Sequence, residues 1–344
     1  MTDIALSYAQ TVDRRLTHRA AVSECFVTDA VSTGERTFLV AAQLPRTHSY
    51  YNDHVTSSKA PAAYDPLLVL EIFRQTCIVA SHEYMAVPEG SSFVFDRGDM
   101  EILDSHALHL GDLPGRMVVA GEITEIRERA GIPAGATIEV RASVDNREAA
   151  SMRLVFRWMP RETWQRLRKR ARTALTLTPQ RAHALTGRLK PAAVGRRLPS
   201  NVVLGGVTVV LGQEVVAPVV VDQRHPALFD HPVDHIPGAV MFEAFRQTAL
   251  TAAHELLGLP PQQLTMSTCE VEFSRVGEFE LPTDCRAQLT EETDGHYTFG
   301  LVLEQEGEVI ARSRVTLTAV GLPARRNEDR APSTSRGELA PAAA

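Results

Sequence analysis

Apolar and polar positions alternate over 22–28 and again over 35–44, the period of a half-buried strand. A polar stretch follows, "PRTHSYYNDHVTSSKAPAAYDP", whose His, Asn, Ser and Pro predict a loop. From about Pro66 to Met85 the apolar positions take a helical period. Alternation returns near 92–103, 116–127, 136–145 and 150–159, with "VDNRE" as the turn between the last two. The second half repeats the order. A strand over 213–221 leads into the loop "DQRHPALFDHPVDHIPG" and a helix from about Gly238 to Leu257. Strands then read near 264–274, 283–291, 296–305 and 308–319, and Gly307 marks the turn in "EQEGEV". The glycine cluster "LGGVTVVLG" (204–212) reads as a turn beside a strand. Each half is therefore strand, loop, one long helix and several antiparallel strands.

The two helices are near copies. "EIFRQTCIVASHE" (71–83) and "EAFRQTALTAAHE" (243–255) share eight of thirteen residues in register. On a helical wheel Glu71, Arg74 and His82 fall on one face, and Glu243, Arg246 and His254 repeat it. The turn before each glutamate is wholly apolar, "LLVL" and "AVMF", whereas a surface helix would show a wide polar face. An i,i+3 Glu–Arg pair could be a plain intrahelical salt bridge copied by duplication. In apolar surroundings, however, buried charges are costly without partners or a use, so the pairs are candidates for a site.

Length and composition allow two domains with substantial cores: 344 residues, 44% of them hydrophobic. A formal net charge of −6 argues against a general nucleic-acid binder. Cys25, Cys77, Cys269 and Cys285 have no zinc-type or CxxC spacing and fit reduced thiols. With no apolar signal core and no run long enough to span a membrane, a soluble cytoplasmic protein is expected. The expected units are an N-terminal segment (1–20), repeats at 21–160 and 201–320, a linker (161–200) and a disordered tail (321–344). The linker opens with "RETWQRLRKRAR", six basic residues against one acidic. It reads as a short helix, either a solvated cover over the seam between repeats or a dock for an acidic partner.

The loops before the helices also match: "HSYYNDH" (48–54) and "HPALFDH" (225–231). They put His54 and His231 at equivalent positions, with Asp230 beside the latter. His225, His231 and His235 would be the only candidate metal set. The first copy lacks the third histidine and Pro232 and Pro237 break helical spacing, so no metal is expected. There is no GxSxG elbow, Walker loop or GxGxxG after a strand, which disfavours serine hydrolases and nucleotide enzymes.

One long helix wrapped by antiparallel strands, entered through "PGAVMFEAFRQ" (237–247), resembles the hotdog dehydratases that act on acyl carrier protein thioesters. Two such units resemble a double hotdog of the α+β class. The fuller pattern "HPALFDHPVDHIPGAVMFEAFRQ", with its degenerate first copy, resembles the A-factor synthase (AfsA-type) family of γ-butyrolactone autoregulator biosynthesis. The resemblance implies transfer of a β-ketoacyl group from an acyl carrier protein thioester to a hydroxyl of dihydroxyacetone phosphate. The product would be the precursor of a butyrolactone, butenolide or furan signal, made without a cofactor. Rival readings are a hotdog dehydratase or thioesterase, and a non-catalytic acyl-binding regulatory protein.

These residues suit the implied chemistry. Gly238 would offer a backbone N–H to a thioester oxygen. Glu71 or Glu243, buried and raised in pKa, would act as base. Arg74 or Arg246 would grip phosphate, with Gln75 and Gln247 as supporting donors and Asp230 nearby. His231 or His54 would orient or move a proton. In hotdog dehydratases a site combines the loop and helix start of one unit with the acid of the other. That implies two composite sites here, His231 and Gly238 with Glu71 and Arg74, and His54 with Glu243 and Arg246. The second starts its helix at Pro66, which has no N–H, and its loop is five residues longer. The first is expected to carry the chemistry.

Overall fold

The computed structural model describes residues 5–54, 61–175, 177 and 187–323. The tail beyond Pro323 lies outside them. The first half runs β1 (Val27–Ser32), β2 (Thr37–Leu44), α1 (Pro66–Tyr84), β3 (Ser92–Ile102), β4 (Gly115–Arg129), β5 (Ile132–Val144) and β6 (Arg147–Met159). After α2 (Arg161–Thr173) come β7 (Thr208–Val210), β8 (Glu214–Pro218), α3 (Gly238–Leu257), β9 (Leu264–Phe273), β10 (Asp284–Thr293), β11 (His296–Gln305) and β12 (Glu308–Ala319).

All the strands join one twelve-stranded antiparallel sheet, in the order β1-β2-β4-β5-β6-β3-β9-β12-β11-β10-β8-β7. Read outward from the β3–β9 seam, the two halves are the same list. This is the double hotdog: each half of the sheet curls around its own long helix, and both helices are buried along most of their length. Asp145–Asn146 and Glu306–Gly307 have positive φ at both positions, the geometry that two-residue hairpins need to match strand twist.

The strand expected over 22–28 is shorter than its pattern. Residues 22–24 form a 3₁₀ turn and pairing starts at Val27. The cause is Gln75, whose amide donates to the Glu24 carbonyl (2.7 Å) and accepts from the Phe26 N–H (3.0 Å). Those groups are lost to a ladder. In the glycine cluster, Thr208–Val210 itself forms β7 and pairs with β8.

The duplication also reaches further than the helix motif reveals. The turns Arg14–Thr17 and Val22–Glu24 recur as Pro191–Val194 and Pro199–Asn201. His18 and Gly195, each left-handed, close the first turn of each set. Gln247 bonds Asn201 and Val203 as Gln75 bonds Glu24 and Phe26. Residues 191–201, placed in the linker by composition, thus mirror 14–24.

Candidate functional site

Each helix glutamate is buried against two guanidiniums. Glu71 takes Arg74 Nε and Nη2 (both 2.8 Å) and the Gln75 amide (2.6 Å) from its own helix. Its further partner is Arg19, at 3.0 Å through Nε and 2.7 Å through Nη2. Glu243 takes Arg246, Gln247 and, from the equivalent turn, Arg196 at 2.8–2.9 Å. Burial alone would raise both carboxyls. The arginines outweigh it, holding Glu71 at about 2 and Glu243 well below the usual carboxylate range. The expected raised-pKa base is therefore corrected: both carboxylates are ionised, with their oxygens taken by guanidiniums.

Stability follows with a definite sign. A carboxyl depressed in the folded state stabilises above its unfolded value, near 4.5, and that stability is lost as pH falls towards 2. Urea unfolding at pH 6 and pH 3 should show a drop of about 2 kcal/mol for each carboxylate. Equal stability at the two values would contradict the ion-pair assignment.

The two centres then diverge. At Glu243 the Tyr50 hydroxyl crosses from the other half and donates at 2.8 Å, its ring stacked 4.4 Å from the Arg196 guanidinium. Arg246 also binds Asp65 at 3.0 Å. Asp65 caps α1 by accepting from Leu67 N–H (2.8 Å), so the helix start beside Pro66 is occupied. Two carboxylates answer two arginines, and the Glu243 and Arg196 side chains have no exposed surface. The residue equivalent to Tyr50 is Ala227, too short to reach Glu71. The residue equivalent to Asp65 is Pro237, which has no carboxylate and leaves the start of α3 without a side-chain cap. Arg74 keeps 23% of its side chain exposed, and its Nη1 has no partner among the described residues.

That opening is a cavity of about 270 Å³ lined by Glu71, Arg74, His231 and Gly238, with Asp230 on its wall. The first composite set is thus brought together. Phe93, Met152, Leu154, Phe242 and Phe273 give the cavity an apolar side suited to an acyl chain. Tyr51 adds a hydroxyl, pushed up by burial and then by Glu71, so it stays protonated. His54 and Arg246 line a different cavity of about 450 Å³, and Glu243 is not on its wall. The second set is therefore divided.

Several residues are occupied elsewhere. Asp230 accepts the Ala20 and Ala21 N–H groups (2.6 and 2.9 Å) and lies 3.3 Å from His231 Nδ1. Asp53 does the same for Arg197 and Leu198. These aspartates brace one half to the other, and Asp230 does so from the wall of the cavity. Gln75 and Gln247 support the glutamates and the backbone. His225 receives Ala227 and Leu228 N–H at Nδ1 and meets Asn201 at Nε2, leaving no nitrogen for a metal. Among the described residues no cluster of three or more metal-type ligands occurs. All four cysteines are free and buried, and no helix of the described residues is long and apolar enough to cross a membrane.

Arg19, Arg196, Tyr50 and Asp65 escaped the sequence reading. The available signal was the need of a buried glutamate for more than one cation, together with the faint match of "HRAAVSE" to "GRRLPSN".

The family of the A-factor biosynthesis hotdog domain (AfsA) matches residues 2–160 and 177–321. A 2-oxo-3-(phosphooxy)propyl 3-oxoalkanoate synthase of Streptomyces virginiae is 34% identical over 278 residues, covering 81% of this chain and 87% of that protein. A protein of the same name from Streptomyces griseus is 28% identical, covering 78% and 82%. Among solved structures, the dehydratase domain of a mycocerosic acid synthase-like PKS is similar at a TM-score of 0.49 and 13% identity, covering 85% of this chain and 95% of that one. With both halves matched and a relative similar over most of its length, the chain belongs to the A-factor biosynthesis hotdog family.

Proposed function

We propose that this protein transfers a β-ketoacyl group from an acyl carrier protein thioester to a hydroxyl of dihydroxyacetone phosphate, the first ester on the way to a γ-butyrolactone-type signal. The names of its relatives state both halves of that product, a 3-oxoalkanoate and a phosphooxypropyl group. The observation that carries the reading is the open guanidinium edge of Arg74 in the same cavity as the uncapped start of α3. The arginine suits a phosphate. The Gly238 end of the helix, with its free N–H groups and positive dipole end, suits an oxygen on which negative charge develops.

Glu71 then serves as a fixed counter-ion that aims Arg74 rather than as a base. His231, at the cavity mouth with 43% of its side chain exposed, is placed to exchange a proton with the leaving thiol or solvent. The apolar wall takes the acyl chain. The test is to offer a β-ketoacyl thioester with and without dihydroxyacetone phosphate. Thioester loss that requires the acceptor is expected; loss indifferent to it would replace a transferase by a thioesterase.

Helix α2 lies beside this mouth: Trp164 packs against His235, a lining residue, with ring centroids 5.7 Å apart. Arg168 is buried against Asp234 and Glu278, and Arg172 pairs with Glu278 and Glu280, so neither is free for a partner. Arg166, Lys169 and Arg170 remain exposed. These three are the dock for the acidic surface of the carrier protein. Reversing their charge should raise KM for the carrier-bound substrate roughly tenfold or more through lost electrostatic attraction, while a small thioester analogue is unaffected. Equal effects on both substrates would sink the dock.

A further inference from the structure

With Glu71 locked between arginines, the hydroxyl needs another base, and the cavity holds an unassigned one. His18 lines it, 3.0 Å from His82 through the two Nε2 atoms. His82 Nδ1 lies 2.8 Å from the Val87 carbonyl, which can only accept, so Nδ1 carries the His82 proton. His82 Nε2 is then bare and must accept, which puts the His18 proton on Nε2. His18 Nδ1 is left as a lone pair, and no donor reaches it among the described residues.

Two contrasts with the other half single this residue out. His18 holds a left-handed backbone (φ 53°), a costly conformation for a side chain, where the equivalent Gly195 (φ 69°) adopts it freely. His82 is paired and half-buried, whereas the equivalent His254 is exposed. A histidine kept in a glycine conformation only in the half with the open centre points to a task there.

We propose that His18 removes the proton from the attacking hydroxyl, with His82 as the positioning residue that fixes its tautomer. This rests on the acyl-transfer reading. The hydroxyl proton goes to His18 Nδ1 as its oxygen bonds to the thioester carbonyl carbon. The carbon–sulfur bond then breaks and the thiolate leaves as the thiol, taking a proton from the imidazolium either directly or through His231. One ester and one thiol form, and His18 returns neutral. The groups facing it are His82 and Arg74 on α1, His231 from the loop and the ring of Phe93 on β3. Burial first, then His82, Arg74 and His231 hold its pKa down at about 4, so it is a free base at neutral pH. A phosphate on Arg74 would offset the charge of that guanidinium and make the base stronger when substrate is bound.

His18→Gly is the informative variant, because glycine fits the backbone and should leave the thermal midpoint no lower. We expect kcat to fall roughly 10²–10⁴-fold, KM for both substrates to stay within about threefold, and added imidazole to restore part of the rate. A kcat near the parent value, or a loss that imidazole leaves untouched, overturns the proposal. Parent thioester loss that ignores the acceptor instead sinks the transferase reading. Independently of turnover, ¹⁵N shifts at neutral pH should show His18 protonated on Nε2 and bare on Nδ1; the opposite tautomer also overturns it.

Discussion

Glu243→Gln should lower the unfolding free energy by about 3–5 kcal/mol, the cost of removing one partner from a buried ion pair. The variant leaves Arg196, which has no exposed surface, and Arg246 facing Asp65 alone. It also removes the ionised acceptor of Tyr50 and of the Gln247 amide. Neither guanidinium can discard its proton, and Arg196 has no route to water. Equilibrium urea unfolding checks it. Glu71→Gln should cost less, because Arg74 opens onto the cavity and can be hydrated there. If the two variants were equally stable, the contrast between a sealed and an open centre would be wrong.

Arg74→Met should spare the fold and damage the reaction. The side chain keeps its apolar stem, and Glu71 keeps Arg19 and the Gln75 amide as partners when the open guanidinium edge and the Arg74 bonds to Glu71 and the Thr17 carbonyl are lost. Loss of a charge-assisted phosphate contact at about 3–4 kcal/mol corresponds to a fall in kcat/KM of roughly 10²–10³. With an unphosphorylated acceptor such as dihydroxyacetone, parent and variant should differ by less than about threefold if the guanidinium acts on the phosphate. A similar loss with both acceptors would move Arg74 from phosphate binding to the carbonyl. Arg246→Met should show the converse, a loss of stability much larger than any specific loss of turnover.

Much of the fold was legible because its signals are local. Strand alternation, the helical period of 66–84 and the hairpin turns each depend on a few adjacent residues, and the near-identical helix motifs announce the duplication. The Glu71, Arg74, His231 and Gly238 set was also legible, since hotdog pairing brings a loop of one unit to the helix of the other. The electrostatics were not. Burial of Glu71 could be read from its apolar neighbours, but the sign of its pKa shift depends on Arg19, which reaches it from another part of the chain. The asymmetry between centres turns on Tyr50 against Ala227 and Asp65 against Pro237, pairs whose importance shows only when the side chains are seen to cross between halves. His18 was hidden for a related reason: its backbone conformation and its contact with His82 are products of the fold.

The working centre can be located by soaking dihydroxyacetone phosphate into crystals of the unmodified protein and finding where the phosphate binds. The expected position is against Arg74 Nη1, in the cavity lined by His18, His231 and Gly238. A phosphate seated instead with Arg246 and His54, and absent from Arg74, would contradict the assignment and make the Glu243 centre the active one.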